Sequence, residues 1–362
     1  MLVFSALLGA ALAAPPDLIA RPAGPDGAGE VVLRYGRGAA EDPPGRSGLT
    51  HLAEHLALST EAARALEAQG GEVEGRTTHD EVRLTLRAPA SLVSALEAAA
   101  IAALDPGAQA WPDEVWRLER DHAHTEALAS AHSEAALRGL ALYPPGHPYH
   151  RPAAGLPDDI GQATLSDASG WLGSALAPSL VAVELVGLEA TDALRARLVE
   201  ALVPPPSPPR PIASAWGRVW RAACPSAVQV LAWPLGTLDE AEAQDLATIV
   251  SIFNDSIQND SRLGPSGPAV AARVPRRLGD ELVVRVEVRE AWAGRLLGLG
   301  SGRAAMARLA RRVDRALTRL VRRPDGVGAF ARARLGPQRR VSLSLGPGPA
   351  HWPREAEELP LR

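Results

Sequence analysis

Two histidines and a glutamate lie close together near the start of the chain, and their types suit metal chemistry. His51, Glu54 and His55 form the pattern His-x-x-Glu-His within Gly48–Leu56. Residues four apart stack on one face of a helix, so both imidazoles can reach a single ion. Zinc binds imidazole nitrogen and carboxylate oxygen, and its catalytic sites leave one position open for water. Glu54 would lie one turn on from His51, where its carboxylate can accept a proton from that water.

A zinc site of this kind needs a third protein ligand. The segment from Pro112 to Tyr143 is predicted to be mostly helical and contains several acidic and imidazole side chains. The candidates are Glu114, Glu119, His122, His124, Glu126, His132 and Glu134. Their spacing alone does not choose among them. The alternative interpretation of the motif itself is a surface helix that carries two histidines and no metal.

Strands and helices follow one another along the whole chain. Period-two alternation of apolar residues predicts the strands, and apolar residues at helical spacing predict the helices. Before residue 203 the predicted strands are Glu30–Tyr35, Asp80–Arg87 and Ser179–Val186, and the predicted helices are Leu49–Gln69, Ser91–Leu104, Pro112–Tyr143, a helix after the capping box Thr164–Asp167, and Asp192–Leu202. After residue 211 the predicted strands are Ala227–Trp233, Glu281–Arg289 and Val341–Leu345, and the helices are Leu238–Ile257 and Arg303–Val321. The pattern predicts an α+β fold of two similar tandem units, the second shorter than the first.

A proline-rich segment, Val203–Pro211, separates the two predicted units. Proline lacks a backbone N–H and has a fixed φ angle, so this segment is predicted to be a stiff, extended linker. The predicted organisation is a zinc-bearing domain at residues 22–202, the linker at 203–211 and a shorter second domain at 212–362.

Composition limits the classes of function. The chain has 362 residues, 46% of them hydrophobic, and a net charge of −4, which predicts two buried cores and no nucleic-acid partner. Cys224 is the one cysteine, so the sequence has neither a disulfide framework nor a thiolate zinc site.

The first fourteen residues form an apolar run that predicts a signal peptide, with Ala11–Ala13 fitting a cleavage site of small residues. The run is too short to span a membrane, and no transmembrane segment is predicted. The expected location is therefore periplasmic or secreted. The alternatives are a mis-assigned start or a buried first strand in a cytoplasmic protein.

Residues 303–340 carry twelve arginines and only two acidic residues, Asp314 and Asp325. Leu309, Val313 and Leu317 recur there at helical spacing, which predicts an apolar stripe beneath a basic face. The basic face is interpreted as a solvated helix surface. The functional alternative is a surface that attracts acidic peptides.

Four segments in order along the chain resemble those of pitrilysin/insulinase-type zinc peptidases, a family that includes mitochondrial processing peptidase. Gly48–Leu56 resembles the family pattern Gly-x-x-His-x-x-Glu-His. Leu66–Thr77 resembles a Gly-Gly pair that leads to Asn-Ala-x-Thr, and Glu119–Glu126 resembles Glu-Arg followed by a second glutamate. His147–Ile160 resembles His-Pro-Tyr-Gly-Arg-Pro and Gly-x-Pro-Glu-Asp-Ile. Weaker likenesses are found at Val228–Pro234 and Asn259–Leu263.

The resemblance implies a role for each matching residue. Glu126 would be the third zinc ligand, and Glu119, two helical turns earlier, would orient a histidine ligand. Glu54 would be the general base of a zinc metalloendopeptidase that binds one zinc ion per chain and hydrolyses peptides or unfolded polypeptides. The fold implied is two tandem α/β-sandwich-like domains of the mitochondrial processing peptidase type.

Two departures from the family pattern affect the substrate site. Glu74 stands where the family has an asparagine that helps bind the substrate backbone. All three tyrosines, Tyr35, Tyr143 and Tyr149, precede the linker, so the second domain lacks the family's tyrosine partner of a substrate-site arginine. We therefore expect the zinc-bearing subunit of a homo- or heterodimer whose other subunit supplies the Arg/Tyr pair. The alternative is a non-catalytic zinc-binding protein that acts as a scaffold or partner subunit.

Overall fold

The computed structural model describes residues 17–23, 27–188, 191–192, 194, 218–223, 227–258, 269–277, 279–287, 301–346 and 357–358. The predicted signal peptide at 1–14, the linker at 203–211 and the Asn259–Leu263 segment lie outside these ranges. Among the described helices, none combines the length and the apolar character that a bilayer crossing requires.

The fold is α+β, as predicted, and its contacts divide the chain into two compact units. Unit 1 comprises Met1–His124 and Pro157–Ser207, and unit 2 comprises Thr125–Leu156 and Pro208–Arg362. The sequence predicts a change of domain at residues 203–211. The contacts assign Thr125–Leu156 to the second unit, which is therefore built from two stretches of chain.

Unit 1 contains a five-stranded sheet in the order β1-β5-β2-β4-β3. Its strands are β1 Asp17–Arg21, β2 Gly29–Tyr35, β3 Glu72–Thr77, β4 Val82–Ala88 and β5 Leu180–Val186. β1 and β5 are parallel, and the other neighbours are antiparallel. Cross-strand pairs such as Leu33 with Leu84 place buried apolar side chains side by side on β2 and β4. β3 forms one edge of the sheet.

The helices have the following bounds: α1 Leu49–Leu58, α2 Glu61–Ala68, α3 Val93–Leu104, α4 Asp113–Ser130, α5 Glu134–Leu142, α6 Pro157–Gln162, α7 Leu165–Trp171, α8 Glu240–Gln258, α9 Ser301–Leu320 and α10 Gly326–Arg334. One π-helical turn, Leu172–Leu176, follows α7 directly. Short 3-10 turns are found at Ala39–Glu41, Ala90–Leu92, Pro106–Ala108, Pro148–His150, Ala177–Ser179 and Pro337–Arg339. α1, α2 and α3 pack against the sheet of unit 1 or against one another.

Two long helices predicted from the sequence are each divided in the structure. The predicted helix Leu49–Gln69 ends at Leu58, and the hydroxyl of Thr60 accepts a hydrogen bond from Ala63 N at 3.2 Å to begin α2. The hydroxyl of Ser133 accepts from Ala136 N in the same way to begin α5. A hydroxyl that satisfies a free helical N–H competes with continuation of the preceding helix. The predicted helix Ser91–Leu104 begins at Val93, and Ser91 lies in the 3-10 turn that precedes it.

The N-terminus of α1 is held by the buried carboxylate of Asp42. Its Oδ2 accepts a hydrogen bond from Gly48 N at 2.7 Å, and its Oδ1 accepts from Thr50 N at 2.9 Å and Thr50 Oγ1 at 2.6 Å. Gly48 has a φ of 100°, a conformation that favours glycine. A carboxylate at this end of a helix satisfies free N–H groups and is stabilised by the helix dipole.

Two tryptophans fix α1 farther along its length. Trp171 Nε1 donates to Thr50 Oγ1 at 3.0 Å, and Trp111 Nε1 donates to the carbonyl of Leu56 at 3.0 Å. Leu52 and Leu56 on the same helix are fully buried. Both ends of α1 therefore have hydrogen-bonded anchors in addition to its apolar face.

Unit 2 contains a six-stranded sheet in the order β11-β6-β10-β7-β9-β8. Its strands are β6 Val219–Ala223, β7 Val228–Gly236, β8 Ala269–Val274, β9 Asp280–Glu287, β10 Val341–Gly346 and β11 Glu357–Glu358. Helices α8, α9 and α10 contribute to one apolar core with this sheet. The predicted apolar stripe of α9 is buried, whereas Arg311, Arg315 and Arg319 are exposed. These three arginines form a solvated helix face.

A buried ionic cluster lies in unit 2 around Glu281 of β9. Its Oε2 accepts from Arg138 Nε at 3.0 Å, and its Oε1 accepts from Tyr143 at 2.9 Å and Arg276 Nε at 3.3 Å. Burial alone would raise the pKa of Glu281, but the two arginines and the tyrosine outweigh it and hold the pKa below its usual value. His147 Nδ1 accepts from Tyr149 N and caps the adjoining 3-10 turn. His147 therefore stabilises this turn.

Substitution of Asp42 by alanine is expected to loosen α1 specifically. Several buried donors lose their acceptor, so the free energy of unfolding should fall by about 2–4 kcal/mol. Urea unfolding measures the loss, and amide hydrogen exchange should show reduced protection in α1. Asp121→Ala, at an exposed position of α4, is the matched control and should change stability by less than about 1 kcal/mol. Equal effects of the two substitutions would contradict the role assigned to Asp42.

Substitution of Glu281 by glutamine is expected to destabilise the protein by about 3–5 kcal/mol at pH 7, because Arg138 and Arg276 lose a buried counter-charge. The pKa of Glu281 is lowered by folding, so its stabilising effect is present above the unfolded-state pKa of about 4.3. That effect is lost as the pH falls through the lower, folded-state value. The difference between wild type and variant should therefore shrink in acid. Urea unfolding of wild type and variant at pH 7 and pH 3 measures this difference in the free energy of unfolding. Glu287→Gln, at a half-exposed position, is the control. A difference that does not change with pH would contradict the role assigned to Glu281.

Candidate metal centre

His51 and His55 project their rings from α1 towards the same point. Their ring centroids are 4.8 Å apart with an interplanar angle of 72°, and their Nε2 atoms are 3.2 Å apart. Two nitrogen ligands at 2.0–2.1 Å from one tetrahedral zinc ion would be roughly 3.3 Å apart. The spacing of the two nitrogens therefore fits a shared ion.

Glu119 of α4 fixes the orientation of His55. Its Oε2 lies 3.0 Å from Nδ1 of His55, and both side chains are largely buried. Because a carboxylate accepts, Nδ1 carries the proton and the lone pair of Nε2 is available to a metal. A carboxylate behind a ligating histidine is a common arrangement in metal sites, where it fixes the tautomer and raises the basicity of the ligand.

Glu126 completes a group of three ligand atoms. Nitrogens of His51 and His55 and a carboxylate oxygen of Glu126 all lie within 4.8 Å of one another. Glu126 lies seven residues after Glu119 on the continuous helix α4, so the two carboxylates share a face. Two imidazoles and one carboxylate form a donor set suited to catalytic zinc, with a fourth position left for water.

The other candidate ligands on α4 and around α5 do not join this group. In the part of the chain that the structure describes, His51, His55 and Glu126 form the one cluster with metal-binding spacing. Glu114, His122 and His132 are exposed, His124 is half-buried, and Glu134 forms ion pairs with Arg138 and Arg285. Of the seven candidates, Glu126 is the one whose carboxylate lies at metal-binding spacing from both histidines within the described residues.

The carboxylate of Glu54 lies on the side of α1 that faces β3. The side chain is buried, and its Oε2 accepts a hydrogen bond from Thr77 Oγ1 at 2.7 Å. A Cβ built on Gly75 would overlap Oε1 of Glu54, so the carboxylate lies directly against the backbone of the strand. Glu54 therefore lies on the same helix as the two histidines, but its carboxylate is held by β3.

Glu74 lies on β3 but points away from this carboxylate. Successive side chains of a strand alternate between faces, so Glu74 is on the opposite face from Gly75 and Thr77. It is exposed at the edge of the sheet, opposite Thr85 of β4. Its predicted part in substrate binding stays a prediction.

The surroundings of the cluster are acidic. Burial and, after it, the charge of Glu119 raise the pKa of Glu67 on α2. Glu119 and Glu126 add two carboxylates on one face of α4. Such an arrangement favours a bound cation, because a positive charge relieves the mutual repulsion of these carboxylates.

Two residues that support the centre were not identified in the sequence. Asp42 anchors α1 from the position that follows the 3-10 turn Ala39–Glu41, with no motif around it. Thr77 contacts Glu54 from β3, a strand that was not predicted because Glu72–Thr77 has polar residues on alternate positions and few apolar ones. In the sequence, Thr77 is marked only by its place in Leu66–Thr77, the segment that resembles the family pattern.

Comparison with solved structures shows the same fold over nearly the whole chain. A protease from Helicobacter pylori matches with a TM-score of 0.64 at 13% identity, covering 92% of this chain and 98% of that one. The first half of the periplasmic protease PqqL from Escherichia coli matches with a TM-score of 0.62 at 13% identity, covering 94% of each chain. A peptidase M16 inactive domain from Pseudomonas fluorescens matches with a TM-score of 0.62 at 16% identity, covering 96% of this chain and 98% of that one.

No family model matches the sequence, and no curated protein is detectably similar to it. The likeness therefore lies in the arrangement of strands and helices. This chain has the fold of M16-type peptidases, a fold found in proteins described as proteases and in a domain described as inactive.

Proposed function

We propose that this protein is a zinc-dependent metalloendopeptidase that hydrolyses peptides or unfolded polypeptides. The observation that carries the proposal is the convergence of His51, His55 and Glu126 on one point, with the carboxylate of Glu119 behind His55. A buried glutamate in the same helical turn as a ligand supplies a base, which a purely structural metal site does not need. The peptidase fold supports the same conclusion.

Each residue has a separate part in the proposed reaction. His51, His55 and Glu126 would hold the metal, and Glu119 would keep the ring of His55 in its binding tautomer. Zinc, when bound, supplies a Lewis acid that acidifies water and polarises the scissile carbonyl. Glu54 would accept the proton of the attacking water and then deliver it to the leaving amine. Its buried carboxylate can do both because it lies beside the ligands on α1 without being one of them.

We further propose that this chain is the zinc-bearing subunit of a two-subunit enzyme. All three tyrosines precede the proline-rich segment, so a tyrosine of a substrate site in the second half would have to come from outside these 362 residues. In support, this chain aligns with 48% of the whole PqqL protease and with 94% of its first half. Hydrolysis by the purified monomer at an ordinary enzymatic rate would contradict this part of the proposal.

A second candidate function is a zinc-binding scaffold without hydrolysis. Exposed Glu74 at the sheet edge and the likeness to a domain described as inactive favour it. The two functions make different predictions for metal-loaded protein. A scaffold binds zinc and leaves peptides intact, both alone and with any partner.

Zinc content and peptide hydrolysis, measured together, test the proposed function. We expect about one zinc per chain in wild type and in Glu54→Gln. Hydrolysis should fall by at least about 10²-fold in the variant, because the general base is lost. Glu114→Gln, at an exposed position of α4, is the control and should leave both quantities unchanged. Wild type with zinc but no hydrolysis, alone or with a partner, would identify the scaffold; absence of zinc binding would contradict both functions.

Glu119→Gln is expected to weaken zinc binding while leaving the ligands in place. Loss of the carboxylate behind His55 should raise the dissociation constant by about 10- to 100-fold. Competition with a chelator of known affinity measures the change, with Glu114→Gln as the matched glutamate on the same helix. An unchanged dissociation constant would show that the contact between Glu119 and His55 does not support the metal site.

A further inference from the structure

β3 presents two residues to α1, and both bear on the position of one carboxylate. Thr77 donates its hydroxyl proton to Oε2 of Glu54 at 2.7 Å. Two residues earlier on the same face, Gly75 has no side chain, and Oε1 of Glu54 occupies the space that a Cβ would fill. Both oxygens of the carboxylate therefore lie against the strand.

Thr77 is itself held firmly enough to act as a fixed donor. It pairs in register with Val82 of β4, within a ladder that runs along the whole of β3. A β-branched side chain has restricted rotation about its first torsion angle, so the hydroxyl keeps its direction. By contrast, a glutamate side chain has three rotatable bonds and loses that freedom only through contacts at its end.

We propose that Thr77 is a positioning residue that holds the carboxylate of Glu54 for proton transfer. The inference rests on the proposed function, since Glu54 is the base of that reaction. Glu54 and His55 are adjacent on α1 and point about 100° apart around the helix axis. Glu119 holds His55 from α4, and Thr77 holds Glu54 from β3. Ligand and base are thus oriented by separate elements.

Kinetics of Thr77→Val and Thr77→Ser test the catalytic part. Valine keeps the branched shape and removes the donor, so kcat should fall by about 10- to 100-fold, with KM changed less than about twofold and zinc content unchanged. Serine keeps the donor and should restore kcat to within about threefold of wild type. Thr85→Val, a buried threonine on the adjacent strand β4, is the control and should retain wild-type kcat. Equal activity of the valine variant and wild type, or equal loss in valine and serine variants, would overturn the proposal.

A second measurement needs no activity. In metal-free protein, Thr77→Val should lower the unfolding temperature by a few degrees in the wild-type background and by much less in a Glu54→Ala background. Equal shifts in the two backgrounds would show that the hydroxyl does not act through Glu54. If wild type does not hydrolyse peptides, the proposed function fails while this cycle still tests the contact. If wild type is active and Thr77→Val is equally active, the proposed function stands and the positioning role fails.

Discussion

The hydrogen bonds between the buried carboxylate of Asp42 and the N-terminus of α1 are the interaction on which the geometry of the candidate metal centre depends. A helix of ten residues has little stability of its own and takes its position from tertiary contacts. Asp42 fixes where α1 begins, and Trp111 fixes its last turn. With both ends held, the rotation of the helix about its axis is set, and so is the direction in which His51 and His55 point.

This rotation lets one short helix present its side chains to two different elements. His51 and His55, four residues apart, face Glu126 of α4, whereas Glu54 faces the edge strand β3. A histidine ligand and a base need different neighbours, because the imidazole must be neutral and directed at the ion, whereas the base must be held without binding the ion. Separate contacts from α4 and β3 satisfy the two requirements at adjacent positions of the chain.

The sequence was sufficient for some of this arrangement and insufficient for the rest, for physical reasons. Helical periodicity places His51 beside His55, and the seven-residue spacing of Glu119 and Glu126 places them on one face of α4. Spacing within one helix cannot show which carboxylate meets a histidine on another helix, and the resemblance to a family supplied that choice. Asp42 contacts residues six and eight positions later, and Thr77 contacts Glu54 from 23 positions away. Neither residue belongs to a periodic or capping pattern, so local patterns do not identify either of them. The division of the predicted helix at Thr60 was missed because one hydroxyl cap outweighed a favourable helical pattern.

The fold is shared with proteases and with an inactive domain, so fold alone does not decide the chemistry. The central claim is that two imidazoles from α1 and a carboxylate from α4 hold one zinc ion. X-ray absorption at the zinc edge of the loaded protein tests it most directly, with Glu126→Gln measured beside wild type. The account predicts two imidazole nitrogens and at least one oxygen at about 2.0–2.2 Å in wild type, and an altered oxygen shell in the variant. A wild-type spectrum with fewer than two imidazoles, or identical spectra for the two proteins, would contradict it.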